Sequence, residues 1–325
     1  MKIGLKDIYK SSFLIGTAIN RHMIEKYETL IPLNYNSVTL ENELKMCEVL
    51  TEDGYNFDEA DYLVNYSKSH EMEVRGHTLL WHEGIPDFLL YNNDKKLLKK
   101  KLDDYILTTV DRYKGTICSW DVVNEILDDS KETFFRNSRL FQVLGEECIY
   151  DSFHMAHEAD PDATLCINEY NACIDYKCEK LIHFIQKMKG QNIPVHGIGL
   201  QGHYNINFPT PEMIEEAILK LIKLDLRIQI TEFDISMFGY EDRRTDLTKP
   251  TVEMLDRQAK KYEDIFRIFH KYKDYIDSVT FWGVSDEYTW LDEFPVNGRK
   301  DWPLLYDEEL QEKKAYYKVF NALSV

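Results

Sequence analysis

The chain has 325 residues, 44% of them hydrophobic, and carries 57 acidic against 39 basic side chains for a formal charge of −18. This length exceeds most single domains but fits one large α/β barrel. The acidic surface repels phosphates and offers no basic stripe, so nucleic acid is excluded as a partner and a neutral substrate is expected. No apolar run approaches the ~18 residues of a membrane span, so no membrane is expected either.

The first sixteen residues, "MKIGLKDIYKSSFLIG", hold no apolar core of signal-peptide length. A cytoplasmic protein is therefore expected, or a secreted one if a leader has been trimmed. Six cysteines occur, at 47, 118, 148, 166, 173 and 178. A chain of this size needs no disulfide staples, and Cys118 and Cys166 lie in apolar runs where a free thiol packs as a small hydrophobe. Cys173 and Cys178 have no paired C-x-x-C set, so no zinc site, and no metal or other cofactor, is expected.

In chain order, β-branched runs at 13–19, 37–42, 73–82, 117–125, 164–171, 196–203, 226–234 and 278–286 read as eight strands. Helical stretches separate them. Over 94–114, Leu98, Leu102, Tyr105, Ile106, Val110 and Tyr113 recur at helical spacing, with Asn93 or Asp94 to cap the start and Gly115 to end it. Over 254–272, Leu255, Ala259, Tyr262, Phe266 and Phe269 form another stripe. No linker, repeat or low-complexity stretch interrupts the alternation. The fold class is thus α/β: a single (β/α)8 TIM barrel forming one domain over 1–325.

Active sites of this fold sit at the C-terminal strand ends. Polar residues gather there around the whole ring: Asn20; Glu41 and Asn42; His77 and His82; Asn124 and Glu125; Asn168 and Tyr170; Gln201 and His203; Glu232 and Asp234; Trp282 and Asp286. Trp81, Trp282, Trp290 and Trp302 lie at or just past strand ends. The ring lacks a Gly-rich phosphate loop, a His-x-His metal pair, a G-x-S-x-G elbow and a strand-end lysine placed for a Schiff base. Lys45 lies past the end of the second strand and suits a donor to hydroxyls. What remains is a carboxylate pair amid amides, imidazoles and indoles, the equipment of glycoside hydrolysis.

Seven motifs then carry a resemblance over nearly the whole chain: "YNSVTLENELK" (35–45), "VRGHTLLWH" (74–82), "WDVVNE" (120–125), "INEYN" (167–171), "GIGLQGHY" (197–204), "ITEFD" (230–234) and "FWGVSDEYTWL" (281–291). Together they resemble the glycoside hydrolase family 10 endo-β-1,4-xylanases. The resemblance implies a retaining endo-xylanase acting on xylan or xylo-oligosaccharides, with Glu125 as general acid/base and Glu232 as nucleophile. It implies that His203 and Asp234 orient the nucleophile, that Tyr170 contacts it, and that Asn124 binds the sugar 2-hydroxyl. Glu41, Asn42, Lys45, His77, Trp81 and Gln201 would contact the glycone, and Trp282 and Trp290 would wall the reactive sugar. Residues 81–88 read "WHEGIPDF" where the family usually has "WHSQTPDW", so Gly84 stands in place of a sugar-binding glutamine and Phe88 in place of a tryptophan. The loop over 292–303 also departs from the family pattern. A cytoplasmic enzyme would meet imported oligosaccharides rather than polymer.

The residues support the same division of labour. Glu125 leaves an apolar strand beside Trp120 and Val123, where desolvation favours the neutral acid. Hydrogen bonding from His203 would keep Glu232 ionised, so Glu125 is expected to hold its proton to higher pH. Three other readings are open, of which a metal-dependent hydrolase would lose activity to a chelator, an outcome not expected here. A glucan hydrolase would differ in the room left for a C6 hydroxymethyl, and a carbohydrate-binding protein would lack turnover.

Overall fold

The computed structural model describes residues 2–90 and 94–323. Eight strands form its centre: β1 (Leu14–Ile19), β2 (Ser37–Leu40), β3 (Glu73–Gly76), β4 (Ile117–Asn124), β5 (Thr164–Glu169), β6 (Gly197–Leu200), β7 (Arg227–Ser236) and β8 (Ile276–Phe281). Each pairs in parallel with the next. β8 returns to β1 with Leu14 opposite Ser278, so the sheet has no edge and the expected barrel is closed.

Two of the expected strands are broken. The run over 73–82 divides into β3 and a short segment, Leu80–Trp81, which pairs with the end of β4. The chain between them folds onto β4, where the Asp121 carbonyl accepts from the Thr78 hydroxyl and the Leu79 amide at 2.9 Å each. The run over 196–203 likewise divides into β6 and the segment His203–Asn205, paired with β7. Both short segments extend the wall above the barrel mouth and carry site residues there.

Helices Asp58–Ser69, Lys95–Arg112, Glu147–Ala159, Asp175–Gly190, Pro211–Leu221, Val252–Lys271 and Lys314–Phe320 follow β2 to β8 in turn. Asp94 caps the second, accepting from the amides of Lys96 at 3.0 Å and Leu97 at 3.1 Å. The alternative cap, Asn93, lies outside the described residues. Ala259, Tyr262, Phe266 and Phe269 of the long stripe are buried, and Phe233 and Phe281 of β7 and β8 pack on Phe266.

Period-two alternation assigns the strand residues to two layers. Apolar residues such as Val38, Val74, Ile167, Ile198, Ile230 and Val279 are fully or almost fully buried and belong to one large core. The lumen is polar. Arg75 of β3 reaches across to Gln229 of β7, donating from Nε at 2.6 Å, and its Nη1 donates to Asp121 of β4 at 2.5 Å. Ser119 and Gln229 bond to each other, and Asp121 also holds His77 Nδ1 at 2.9 Å. This buried layer is a floor beneath the strand ends, and through His77 it fixes a side chain that faces the site.

Asp121 is fully buried and Arg75 nearly so. Removing one partner leaves the other charge desolvated and unpaired, which costs about 3–5 kcal/mol. Asp121→Ala is therefore expected to lower stability by that amount in urea or thermal unfolding. Replacing Arg75 and Asp121 together by apolar residues should recover much of the loss.

Candidate active site

Glu125 and Glu232 are held by one set of donors. Asn124, at the end of β4, accepts at Oδ1 from Asn168 Nδ2 at 2.9 Å and from Gln201 Nε2 at 3.2 Å. Strand alternation would send the next side chain to the opposite face. Instead Glu125 has φ of +56°, and its carboxylate accepts from the same Gln201 Nε2 at 3.0 Å and from Trp81 Nε1 at 3.0 Å. The strand ends one residue before the expected limit, and this left-handed turn puts the carboxylate in the gap beside Asn124.

β7 delivers the second acid without such a turn. Glu232 and Asp234 are two residues apart and share a face. Glu232 Oε1 accepts from Asn168 Nδ2 at 2.7 Å, and Oε2 lies 3.1 Å from His203 Nε2. His203 Nδ1 is 3.0 Å from Asp234 Oδ2, which also accepts from Trp290 Nε1 at 2.8 Å. With a carboxylate at each ring nitrogen, His203 donates twice and is an imidazolium. Burial pulls its pKa down, but Asp234 and then Glu232 outweigh that and raise it to about 10. Burial likewise pushes the Glu232 carboxyl up. The His203 hydrogen bond, the neighbouring His77 and the Asn168 amide more than cancel this and hold it well below the usual range.

The desolvation expected at Glu125 is greater at Glu232, which is only 5% exposed, whereas Glu125 is half-buried. Donors, not burial, keep Glu232 ionised. Asn168 is the residue that links both halves, and its Oδ1 accepts from Thr231 at 2.7 Å. The facing residue on β6 is Gly199, where a Cβ would stand 2.2 Å from Asn168 Oδ1. The glycine is required by the amide it faces.

The expected glycone contacts assemble on the β2 and β3 side. Glu41 accepts from Asn20 Nδ2 at 2.7 Å and from the Tyr288 hydroxyl at 3.4 Å. Lys45 donates to Asn42 Oδ1 at 2.7 Å and lies 4.7 Å from the centre of the Trp81 ring. Trp81 in turn donates to Glu125, so the side expected to hold the glycone and Glu125 share a wall. Gly84 packs beside Trp81, where a Cβ would stand 3.4 Å from the ring, in ordinary van der Waals contact. Trp282 stands edge-on to His77 and His203 at 5.4 and 6.3 Å, and Trp290 packs on His203 at 4.7 Å.

Three expectations are corrected. The Tyr170 hydroxyl is bonded away from Glu232: it donates to Asp129 and accepts from Arg136, and its ring lies under Lys177 and Arg136. Asn168 makes the contact expected of it. Trp302 is a core residue, 2% exposed, and not a cleft wall. Asp286 is fully buried, paired with Lys313 at 2.6 Å and accepting from the Leu304 amide at 2.7 Å, so it anchors the last loop. Among the described residues no group of three or more His, Cys, Asp or Glu is arranged to hold a metal ion. Arg136, which binds the main chain of Glu125, was missed, since no periodicity or motif marks the loop that carries it.

A closed parallel barrel whose mouth sets two carboxylates among indoles and sugar-suited amides is the architecture of a glycoside hydrolase. Residues 4–322 match the model of glycosyl hydrolase family 10, and the chain belongs to that family. It is 44% identical over 322 residues to endo-1,4-beta-xylanase B of Paenibacillus barcinonensis, covering 97% of each chain. It is 41% identical over 324 residues to an endo-1,4-beta-xylanase of Geobacillus stearothermophilus, covering 98% of each. A crystal structure of a Paenibacillus barcinonensis xylanase complexed with a conduramine derivative superposes with a TM-score of 0.95 at 43% identity, covering 98% of both chains.

Two outcomes follow from the geometry. Gly199→Ala should displace the Asn168 amide from both Asn124 and Glu232, and is expected to lower kcat by about tenfold or more, as loss of a hydrogen bond to a charged group would. Steady-state kinetics of the purified variant measure it. The His203 pKa is raised, so its stabilising contribution is complete below its ordinary value and is lost as pH rises through the folded one. Melting temperature should therefore fall between pH ~6.5 and about 10, and His203→Gln should flatten the profile in that window.

Proposed function

We propose that the chain is a retaining endo-1,4-β-xylanase that cleaves xylan or xylo-oligosaccharides by double displacement. The observation that carries this is the unequal dressing of the two acids: Glu232 is clamped as an anion by an imidazolium and an amide, while the Glu125 carboxylate accepts from two neutral donors, Trp81 and Gln201. Glu232 is then the group to attack the anomeric carbon. As the C–O bond breaks, Glu125 gives its proton to the departing oxygen. Water next attacks the glycosyl-Glu232 ester, Glu125 takes a proton from it, and the carboxylate is released. Double displacement requires carboxyl groups roughly 5–5.5 Å apart.

Asn124 lies between the acids, where a sugar 2-hydroxyl would meet it beside Glu232. A contact that tightens as the sugar flattens adds to rate rather than to ground-state affinity. Glu41, Asn42, Lys45 and Trp81 would hold the glycone, and Trp282 and Trp290 would cover the reactive ring. The named relatives support a xylan-type chain. All six cysteines are free thiols, which suits a reducing, cytoplasmic compartment and oligosaccharide substrates. Cys118, expected to be packed, is exposed on β4.

Glu125→Ala is expected to lower turnover of xylo-oligosaccharides by about 10²–10⁴-fold, with azide restoring turnover of an aryl xylobioside as the β-azide. Proton NMR of the first product should show the β-anomer. An α-anomer, or no rescue, overturns the reading. Higher kcat/KM on aryl cellobioside than on aryl xylobioside would replace xylan by glucan.

A further inference from the structure

The loop that follows Glu125 is pinned to an unusual degree, and one residue ties it to the acid itself. Glu125 adopts φ of +56°, a left-handed conformation that a non-glycine residue keeps only where the surroundings over-determine it. Its amide donates to the Asn168 carbonyl of β5 at 3.0 Å, so the incoming peptide is fixed by the barrel. The outgoing peptide has left the sheet. Its carbonyl, that of Glu125, accepts from Arg136 Nε at 3.0 Å.

Arg136 is itself held from both sides. Its amide donates to the Ile126 carbonyl at 2.8 Å, next to a bridge that pairs Leu127 with Phe135. Its Nη2 donates to the Tyr170 hydroxyl and lies 3.6 Å from Asp129 Oδ2. Fully buried Lys177 reaches Asp129 at 2.8 Å and Glu169 at 3.3 Å, and Glu169 accepts from the Leu127 amide at 2.9 Å. The circuit runs from β5 and its helix back to the acid's own loop. His82 faces the same corner. Burial first, and then the Arg136 charge, lowers its pKa, against the opposing pull of Glu125 and Glu83.

We propose that Arg136 is a positioning residue for proton donation: by holding the Glu125 carbonyl it keeps the turn that aims the carboxyl at the departing oxygen. The proposal rests on the assignment of Glu125 as the acid. It differs from a merely structural role in what it predicts. In kcat/KM, which reports the steps up to cleavage of the glycosidic bond, a mis-aimed acid harms only those substrates whose leaving group needs a proton, while its later role as base falls on kcat for both.

The test compares xylotetraose, whose leaving sugar needs protonation, with dinitrophenyl xylobioside, whose leaving group does not. For Arg136→Ala, kcat/KM on xylotetraose should fall by about 10²-fold, with less than about fivefold loss on the aryl substrate, the signature of impaired general-acid catalysis. Added guanidinium should restore part of the xylotetraose rate. Arg136→Lys, which keeps the charge but cannot serve both Glu125 and Tyr170, should show the same split to a smaller degree. Circular dichroism and melting temperature report whether each variant is folded, and if the alanine variant is not, the lysine variant decides. Equal losses on both substrates, or no loss, would overturn the proposal. Wild-type enzyme inactive on both substrates would instead overturn the assignment of function.

Discussion

Two carboxylates held in one frame of amides repel each other, and the rest of the site is arranged around that fact. Left alone, such a pair would share a single proton with neither member assigned to hold it. Here the donors break the symmetry. The imidazolium of His203 is wedged between Glu232 and Asp234, so its charge is balanced by groups on β7. Glu125 receives indole and amide N–H groups, which steady it without fixing its charge. The amides of Asn168, Asn124 and Gln201 run between the two acids and hold them in one frame, without adding a charge of their own.

That frame needs a rigid base, and the barrel lumen supplies it. An apolar lumen would fill space but offer nothing to orient polar side chains at its mouth. The ion pair of Arg75 and Asp121, tied to Gln229, Ser119 and His77, connects β3, β4 and β7 beneath the site. A buried pair of this kind is weak evidence of stability, because desolvation opposes it. Its use here is orientation. Asp121 fixes the ring of His77, and His77 in turn stands against Trp282 and near Glu232.

Much of this was legible in the sequence because the barrel imposes a rule. Strand ends face the site, so a carboxylate that closes a β-branched run is a candidate whatever lies elsewhere in the chain. Glu125, Glu232 and Asp234 were read this way, and Gln201 as an amide at a strand end. What could not be read depends on departures from the rule. Alternation alone would place Glu125 opposite Asn124, and only its positive φ reconciles the two. Tyr170 was given a role that belongs to Asn168, two residues before it in the same motif, because a strand end specifies a neighbourhood and not a hydrogen bond. Trp302 and Asp286 sit past a strand end in sequence, but the last loop folds back and buries both. Arg136 comes from a loop whose residues follow no period at all.

The two acids therefore differ in how they are supported, and the difference has a physical cause. Glu232 lies inside β7, at a register irregularity between the paired residues Ile230 and Phe233, and its amide donates to the Gln201 carbonyl at 2.8 Å, so the strand holds its position from before and after. Glu125 lies one residue beyond the last paired position of β4, where no ladder continues. Its loop is fixed by side chains instead: Arg136 on the carbonyl of 125, Glu169 on the amide of 127, Lys180 on the carbonyl of 128. Lys177 and Lys180 spend their charge inside the fold on these contacts, both being buried. In the proposed mechanism Glu125 gives and retakes a proton, and such a group has to move little between two charge states. Anchoring its backbone through several independent side chains keeps its position when its own hydrogen bonds change.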